Sequence, residues 1–419
     1  MVVTQVVGVG IFLSPATMMR TVGGGWAALA VWLAIGSLSV AGAFCYAELS
    51  TRFPEAGGGY VFLREAFGRR VAFIHGWMAL LVVDPGLTAA LGIGLAQYLL
   101  ATVGGDPSLT PLVAVAGIAI AGLLTLLGVH ASARAMQVTA AAKIAIVLLL
   151  AATALVRLGS AGLGQVEPAA LPAPAALAPA VIAAFFAFGG WWELGRMSEE
   201  VSTPRRTMPR AFIGGLGIVT AMYLLVSLAL ATAPAPGATT DEAFVLAVGA
   251  ALFGDAAGRL LSAMVVVAVA GSLAATLLGA PRLYLALARD GLFPPALARV
   301  HTGRGTMPAS TILQVALASL LALTGSFTDI LGYFVPCAVF FLGLSAATIL
   351  RLPRPEAGAP VFRAPLHPAP ILIFLALIAA MLALFAVGQP VQTLAGALVV
   401  LLGVPVAWTV AGPGRLRAS

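Results

Sequence analysis

Charge is what this chain has least of. Of its 419 residues only 9% are Asp, Glu, Lys or Arg, while 61% are hydrophobic; soluble domains carry about 25% charged residues. An ordinary water-soluble fold is excluded, and a polytopic membrane protein remains. Cysteine is nearly absent: Cys45 and Cys337 each lie inside an apolar run, so free buried thiols are expected and a disulfide framework is not. The four histidines, His75, His130, His301 and His367, are dispersed. With no H-E-x-x-H pair and no nucleophile elbow, an intramembrane enzyme would have no constellation to work with, and neither a cofactor nor a metal site is expected. Arg20 and the glycine run after it do not form the charged leader, apolar core and cleavage site of a signal peptide.

What the chain has is hydrophobic length. A spanning helix needs about 20 apolar residues, and twelve such runs are legible, near 1–20, 26–50, 71–101, 110–128, 133–156, 178–196, 208–232, 257–284, 308–325, 328–350, 369–388 and 391–411. The net charge of +7 is scattered between these runs, which speaks for membrane topology and against a nucleic-acid partner. Placing the N-terminus in the cytoplasm puts eighteen arginines in inner loops and three (Arg20, Arg157, Arg259) in outer ones. The positive-inside rule then predicts a multi-pass protein of the cytoplasmic membrane with both termini inside.

Two hydrophobic segments are interrupted by closely spaced glycines: Gly8-Val9-Gly10-Ile11-Phe12 in the first, and Phe186-Ala187-Phe188-Gly189-Gly190-Trp191 in the sixth. Small residues let membrane helices pack closely. They also mark places where a helix breaks, and irregular backbone survives in a bilayer only when buried in protein or lining a cavity. Matching breaks in two halves of a chain point to a small-molecule site near the midplane.

Ionisable residues inside the spans are few. Lys143, the only lysine, lies nine residues beyond Arg134, roughly 14 Å deep at ~1.5 Å per residue. It is either a snorkelling side chain or, at that depth, a functional cation. Asp84 precedes Pro85 in the third span and reads either as a partner for freed backbone donors or as a selectivity residue for cationic substrates. Glu193 stands three residues before Arg196, a spacing that suits an ion pair on one helix face. Between the spans, Pro54 to Arg70 reads as a re-entrant or interfacial segment, Pro168 to Pro179 as a Pro/Ala-rich outer loop, and Asp241, Glu242 and Asp255 fall in the longest outer loop.

Taken in order, several short motifs carry a resemblance. They are Gly8-Val9-Gly10-Ile11-Phe12, Cys45-Tyr46-Ala47-Glu48-Leu49, Gly57-Gly58-Gly59-Tyr60, Phe186 to Trp191, Glu199-Glu200-Val201, Pro204-Arg205-Arg206, Pro281-Arg282, Ala288-Arg289-Asp290-Gly291 and Phe362-Arg363-Ala364-Pro365. The chain resembles the amino acid, polyamine and organocation superfamily of permeases, in particular bacterial relatives of the L-type amino acid transporters. The resemblance implies an all-α leucine-transporter fold: a five-helix repeat over 1–157, an inverted five-helix repeat over 178–350, and two further helices over 369–411. It also implies that the first half-helix begins upstream of Met1.

The same resemblance implies an amino acid as substrate, with the α-carboxylate on the N–H groups of Gly8, Val9, Gly10 and Ile11. The α-ammonium is then met near Phe186, Ala187, Phe188, Gly189 and Gly190, and Phe186 and Trp191 serve as aromatic covers or as packing. Lys143 matches a lysine that stands where sodium-coupled relatives bind a cation, which implies proton-coupled or exchange transport. Polyamine transport and nutrient sensing without flux are the alternatives.

Overall fold

The computed structural model describes residues 10–22, 25–55, 57–128, 143–153, 155–156, 173–231, 243–356 and 361–411, and among them it contains helices and no strand. The helices are α1 (Gly10–Val22), α2 (Gly25–Arg52), α3 (Gly59–Phe67), α4 (Arg69–Val103), α5 (Thr110–Leu127) and α6 (Lys143–Thr153). They continue with α7 (Pro174–Phe188), α8 (Pro204–Leu228), α9 (Phe244–Phe253), α10 (Asp255–Arg289), α11 (Pro308–Thr324), α12 (Phe327–Arg351), α13 (Ala369–Gly388) and α14 (Pro390–Val410).

Nine of the described helical segments are long and apolar enough to cross a membrane. α1, α6 and α11, at the remaining three expected spans, are shorter over the described residues. The chain is a multi-span membrane protein. Its spans differ in how deeply they are enclosed: 83% of the apolar window of α4 is buried, against 28% for α13 and 17% for α14. α4 is therefore a central column and α14 a peripheral one. The outward side chains of α5, α13 and α14 (Leu123, Leu127, Ile373, Leu398 and Leu402 among them) are exposed and apolar, as a lipid-facing surface requires.

The helices pair in a regular way. α1 lies along α7, α2 along α8, α4 along α10, and α5 along α11. α12 packs on α4 and α7 from the inside and on α13 and α14 from the outside.

Two departures from regular helix matter. α4 contains a π-helical turn over Ala79–Val83, which ends at Asp84. Pro85 has no N–H to give to the carbonyl four residues back, and that carbonyl, Leu81, accepts instead from the Tyr333 hydroxyl of α12 at 3.4 Å. A second π turn follows Pro209 in α8. The expected outer loop holds α9, whose ten residues are too few to span; it packs on α10 where Gly249 meets Gly258. Asp255 opens α10, and Asp241 and Glu242 lie outside the described residues.

The expected interfacial segment is α3, bounded by glycines with positive φ at Gly58 and Gly68. Polar contacts tie this end of the bundle together. The Asp290 carboxylate, just past α10, accepts from the Tyr60 hydroxyl and from Arg64 at 3.2 Å, while Arg69 donates to the Asp290 carbonyl at 2.7 Å. Glu48, fully enclosed on α2, pairs with Arg52 and accepts the Ala364 N–H at 2.9 Å, which holds the segment before α13 against α2.

Candidate functional site

The sixth-span interruption is a true break. The α-helix ends at Phe188, Gly189 N–H turns back onto the Phe186 carbonyl at 3.0 Å, and Gly190 takes φ 94°. That is the left-handed region, open to glycine and strained for other residues. The chain then restarts as a tighter 3-10 helix, Trp191–Glu200, with Glu193 N–H on the Gly190 carbonyl at 3.1 Å. A helix end buried in this way must find partners for its last carbonyls. One comes from a neighbouring helix: Tyr223 of α8 donates to the Ala187 carbonyl at 3.0 Å, while one turn earlier Ser14 of α1 donates to the Ala183 carbonyl at 2.6 Å and ties α1 to α7.

α1 meets this break at Gly10, which lies directly on the Ala187 backbone; a side chain there would overlap the Ala187 Cα and sit 2.9 Å from its nitrogen. Ile11 and Phe12 are fully buried, and Tyr98 of α4 donates to the Phe12 carbonyl. Gly8 and Val9 lie outside the described residues. α1 thus packs at Gly10 onto the C-terminal end of α7, whose last carbonyls have no donors within their own helix.

The aromatic residues of the motif face different ways. Phe186 meets Phe327 and Phe334 of α12 edge to face, at 5.6 and 6.2 Å. Phe188 packs into Trp32 and Tyr223, and Trp191 is fully buried against Tyr46 and Phe212. Phe186 therefore faces α12, and Phe188 and Trp191 brace the break. The Trp191 indole N–H, enclosed in the core, meets no acceptor among the described residues.

Two cavities lie in the bundle, and the smaller one borders the break. One, of about 290 Å³, is bounded by Leu13, Thr17 and Arg20 of α1, Gln97 of α4, and Phe327. The other, of about 40 Å³, is bounded by Tyr46, His75, Val83, Trp192, Glu193 and Phe341. The expected partner of Glu193, the Arg196 side chain, lies outside the described residues.

Lys143 and Asp84 are brought to the same helix at different heights. The Lys143 ammonium, on a side chain 5% exposed, donates to Ser272 Oγ of α10 at 2.7 Å. Asp84, also buried, accepts from the Tyr284 hydroxyl of α10 at 2.7 Å. These α10 partners are twelve residues apart, roughly 18 Å at ~1.5 Å per residue. A further chain of bonds runs from Gln314 of α11 to Thr88 Oγ1 at 2.9 Å and on to the Asp84 carbonyl at 2.7 Å. Sequence reasoning missed Ser14, Tyr98, Tyr223 and Ser272. Their one signal was a hydroxyl inside an apolar span, and that signal does not say which carbonyl or ammonium it will meet.

A family model described as amino acid permease matches residues 1–408. The chain belongs to the amino acid permease family. Its function is accordingly amino acid transport, and it is a permease and not an enzyme. Among curated proteins it is 28% identical to the large neutral amino acids transporter small subunit 2 of Mus musculus, over 97% of this chain and 78% of that protein. It is 27% identical to the cystine/glutamate transporter of Pongo abelii, over 96% and 82%. It is 26% identical to the serine/threonine exchanger SteT of Bacillus subtilis, over 88% and 85%. The bacterial exchanger and the mammalian transporters are thus similarly distant in sequence from this chain.

Proposed function

We propose that this permease is a secondary transporter of the cytoplasmic membrane that moves an amino acid by alternating access, with the substrate backbone held where α1 meets the break in α7. The observation that carries the proposal is the contact of Gly10 with Ala187. It sets α1 against a helix stop with no side chain between them, so that a substrate ammonium placed there has backbone acceptors. The carboxylate goes to N–H groups of the Gly8-Val9-Gly10 motif, because N–H groups freed at a helix break favour anions. The ammonium goes to the carbonyls at Phe186, Ala187 and Gly189. Phe186, edge-on to Phe327 and Phe334, forms the outer cover.

Two features support twelve spans in two inverted repeats of five, plus α13 and α14. The three shorter helices fall at the three remaining expected spans. The pairing of α1 with α7, α2 with α8, α4 with α10 and α5 with α11 joins each first-half helix to its second-half equivalent, as a two-fold axis in the membrane plane would. The basic loops orient the α3 end to the cytoplasm. Rocking of one repeat against the other then opens the two cavities in turn.

Lys143 acts as a resident cation between α6 and α10. Its bond to Ser272 supplies the link that a bound sodium ion would otherwise make, so transport is independent of sodium and either coupled to protons or obligately exchanging. Uptake of labelled amino acids into proteoliposomes tests the whole reading. Expected is flux of an α-amino acid without sodium, stimulated by an inside-alkaline gradient or by internal substrate. Binding without flux under every condition would refute it and favour a sensor.

A further inference from the structure

Two arginines at the α3 end of the bundle are built alike. Arg70, the second residue of α4, donates through Nε to the Ala411 carbonyl just past α14 at 3.4 Å, and its guanidinium lies 3.8 Å from the centroid of the Trp408 ring. Arg351, the last residue of α12, donates through Nε to the Ala66 carbonyl at 2.8 Å, and its guanidinium lies 5.4 Å from the centroid of the Phe67 ring. Neither forms an ion pair among the described residues: Glu55, Glu65 and Asp290 are taken by Arg64, and Glu48 by Arg52. A solvated arginine keeps its rotamers, because fixing a long side chain costs entropy. Here each is fixed through Nε and an aromatic face, and its charge and its terminal N–H fork are left for something outside the chain. Such a fork matches the oxygens of a phosphate.

The two anchoring points, Ala66 and Arg70, are four residues apart on either side of the corner at Gly68. Nothing lies within 4 Å of a methyl built on Gly68, so the corner has room for a bound group. What adjoins it is apolar. Trp408 is 62% exposed, and Leu394, Leu398 and Leu401 are exposed on the same helix, at spacings of four, three and seven residues that put all four on one face. α14 is held to α4 by the Trp77 indole N–H on the Val399 carbonyl at 2.9 Å, so this face and Arg70 keep a fixed relation. A cation at the head of a lipid-facing stripe suits an amphiphile with a negative head and an apolar tail. A zwitterionic head would bring a third positive charge to two unmatched ones.

We propose that the α3–α4 corner is a site for an anionic phospholipid of the cytoplasmic leaflet, with Arg70 and Arg351 on the headgroup phosphate and an acyl chain along Leu401, Leu398 and Leu394 beyond Trp408. The leaflet rests on the orientation proposed above; the site itself uses no part of the substrate-binding reading.

The test measures binding of phosphatidylglycerol and phosphatidylcholine to the purified full chain in detergent by native mass spectrometry, with thermal unfolding in mixed micelles as a second readout. Neither readout depends on flux or on insertion, so failure here is distinct from failure of the transport or orientation readings. The wild-type protein is expected to bind phosphatidylglycerol about tenfold or more tightly than phosphatidylcholine, the scale expected of two arginines at a charged headgroup. The double variant Arg70→Gln, Arg351→Gln should lose that preference and keep its binding of phosphatidylcholine. Arg70→Lys, which keeps the charge and gives up the planar fork, should lose most of it. Arg304→Gln, which removes an exposed arginine from the loop before α11, should lose none. Equal binding of the two lipids by the wild-type protein would overturn the proposal with no need of a variant. Equal losses in Arg304→Gln and the double variant, or a full preference kept by Arg70→Lys, would reduce the effect to net charge and overturn the site. Displacement of the lipid by soluble glycerol phosphate at matched concentration would overturn the lipid as its occupant.

Discussion

Replacing Gly10 by alanine tests the central contact most directly. The added methyl would overlap the Ala187 Cα and lie 2.9 and 3.0 Å from its nitrogen and Cβ. These are backbone or backbone-anchored atoms in a helix tied at Ala187 by Tyr223 and at Ala183 by Ser14, so they cannot turn aside as a side chain would. To regain a carbon contact of about 3.5–4.0 Å, α1 must back away by roughly 1.5 Å. Overpacking of this kind costs ~1–3 kcal/mol, and the same shift stretches the 2.6 Å Ser14 bond past the limit of a hydrogen bond, adding ~1 kcal/mol. The expected loss is about 2–4 kcal/mol, together with loss of substrate binding, because the donor and acceptor poles no longer face one ligand. Gly217→Ala is the matched control: Gly217 lies exposed on α8 with nothing within 4 Å of the added methyl, and the change should be neutral or mildly stabilising. Thermal unfolding of the purified proteins, followed by size-exclusion and repeated with substrate, reads both effects. A Gly10→Ala protein that melts with the control and is protected by substrate as well as the wild type would refute the reasoning.

Further expectations follow from the other contacts. Lys143→Met keeps the stem and removes the charge that reaches Ser272; uptake should fall at least tenfold and the residual flux should ignore a pH gradient, and full gradient-stimulated uptake would exclude the lysine from coupling. Tyr284→Phe leaves the buried Asp84 carboxylate without the hydroxyl it receives at 2.7 Å, and thermal stability should drop by ~1–3 kcal/mol, whereas an unchanged melting temperature would show that the contact carries little. At the α3 end, burial first, and then the Asp290 carboxylate it donates to, push the Tyr60 phenol well above its ordinary value. Its folded form thus holds the proton more tightly than the unfolded chain. The contribution is complete below about pH 10 and is lost as pH rises toward the raised value. Melting temperature should therefore fall in alkali more steeply for the wild type than for Tyr60→Phe; parallel curves would contradict this.

The amino-acid sequence by itself determined that this chain lives in a membrane, because runs of apolar residues 20 long admit no other solvent, and it marked Gly189 and Gly190 as the place where the sixth span could break, because adjacent glycines inside such a run weaken a helix at that point. It also carried enough ordered motifs, from Gly8 to Pro365, for the permease family to be legible. Asp84 with Pro85 announced a local distortion, since a proline always orphans a carbonyl. Only the tertiary structure decided that the distortion is a π turn served by Tyr333, that Asp84 turns to Tyr284 while Lys143 turns to Ser272, and that of Phe186, Phe188 and Trp191 only the first faces α12. It alone placed Glu193 in a small aromatic cavity. The division has one cause. Hydrophobic length, glycine and proline act on the chain locally and leave their mark at a fixed position in the sequence, whereas the partner of a buried polar group is chosen by which helices pack side by side and at what height, and residues 129, 200 or 230 positions away leave no local mark of having been chosen.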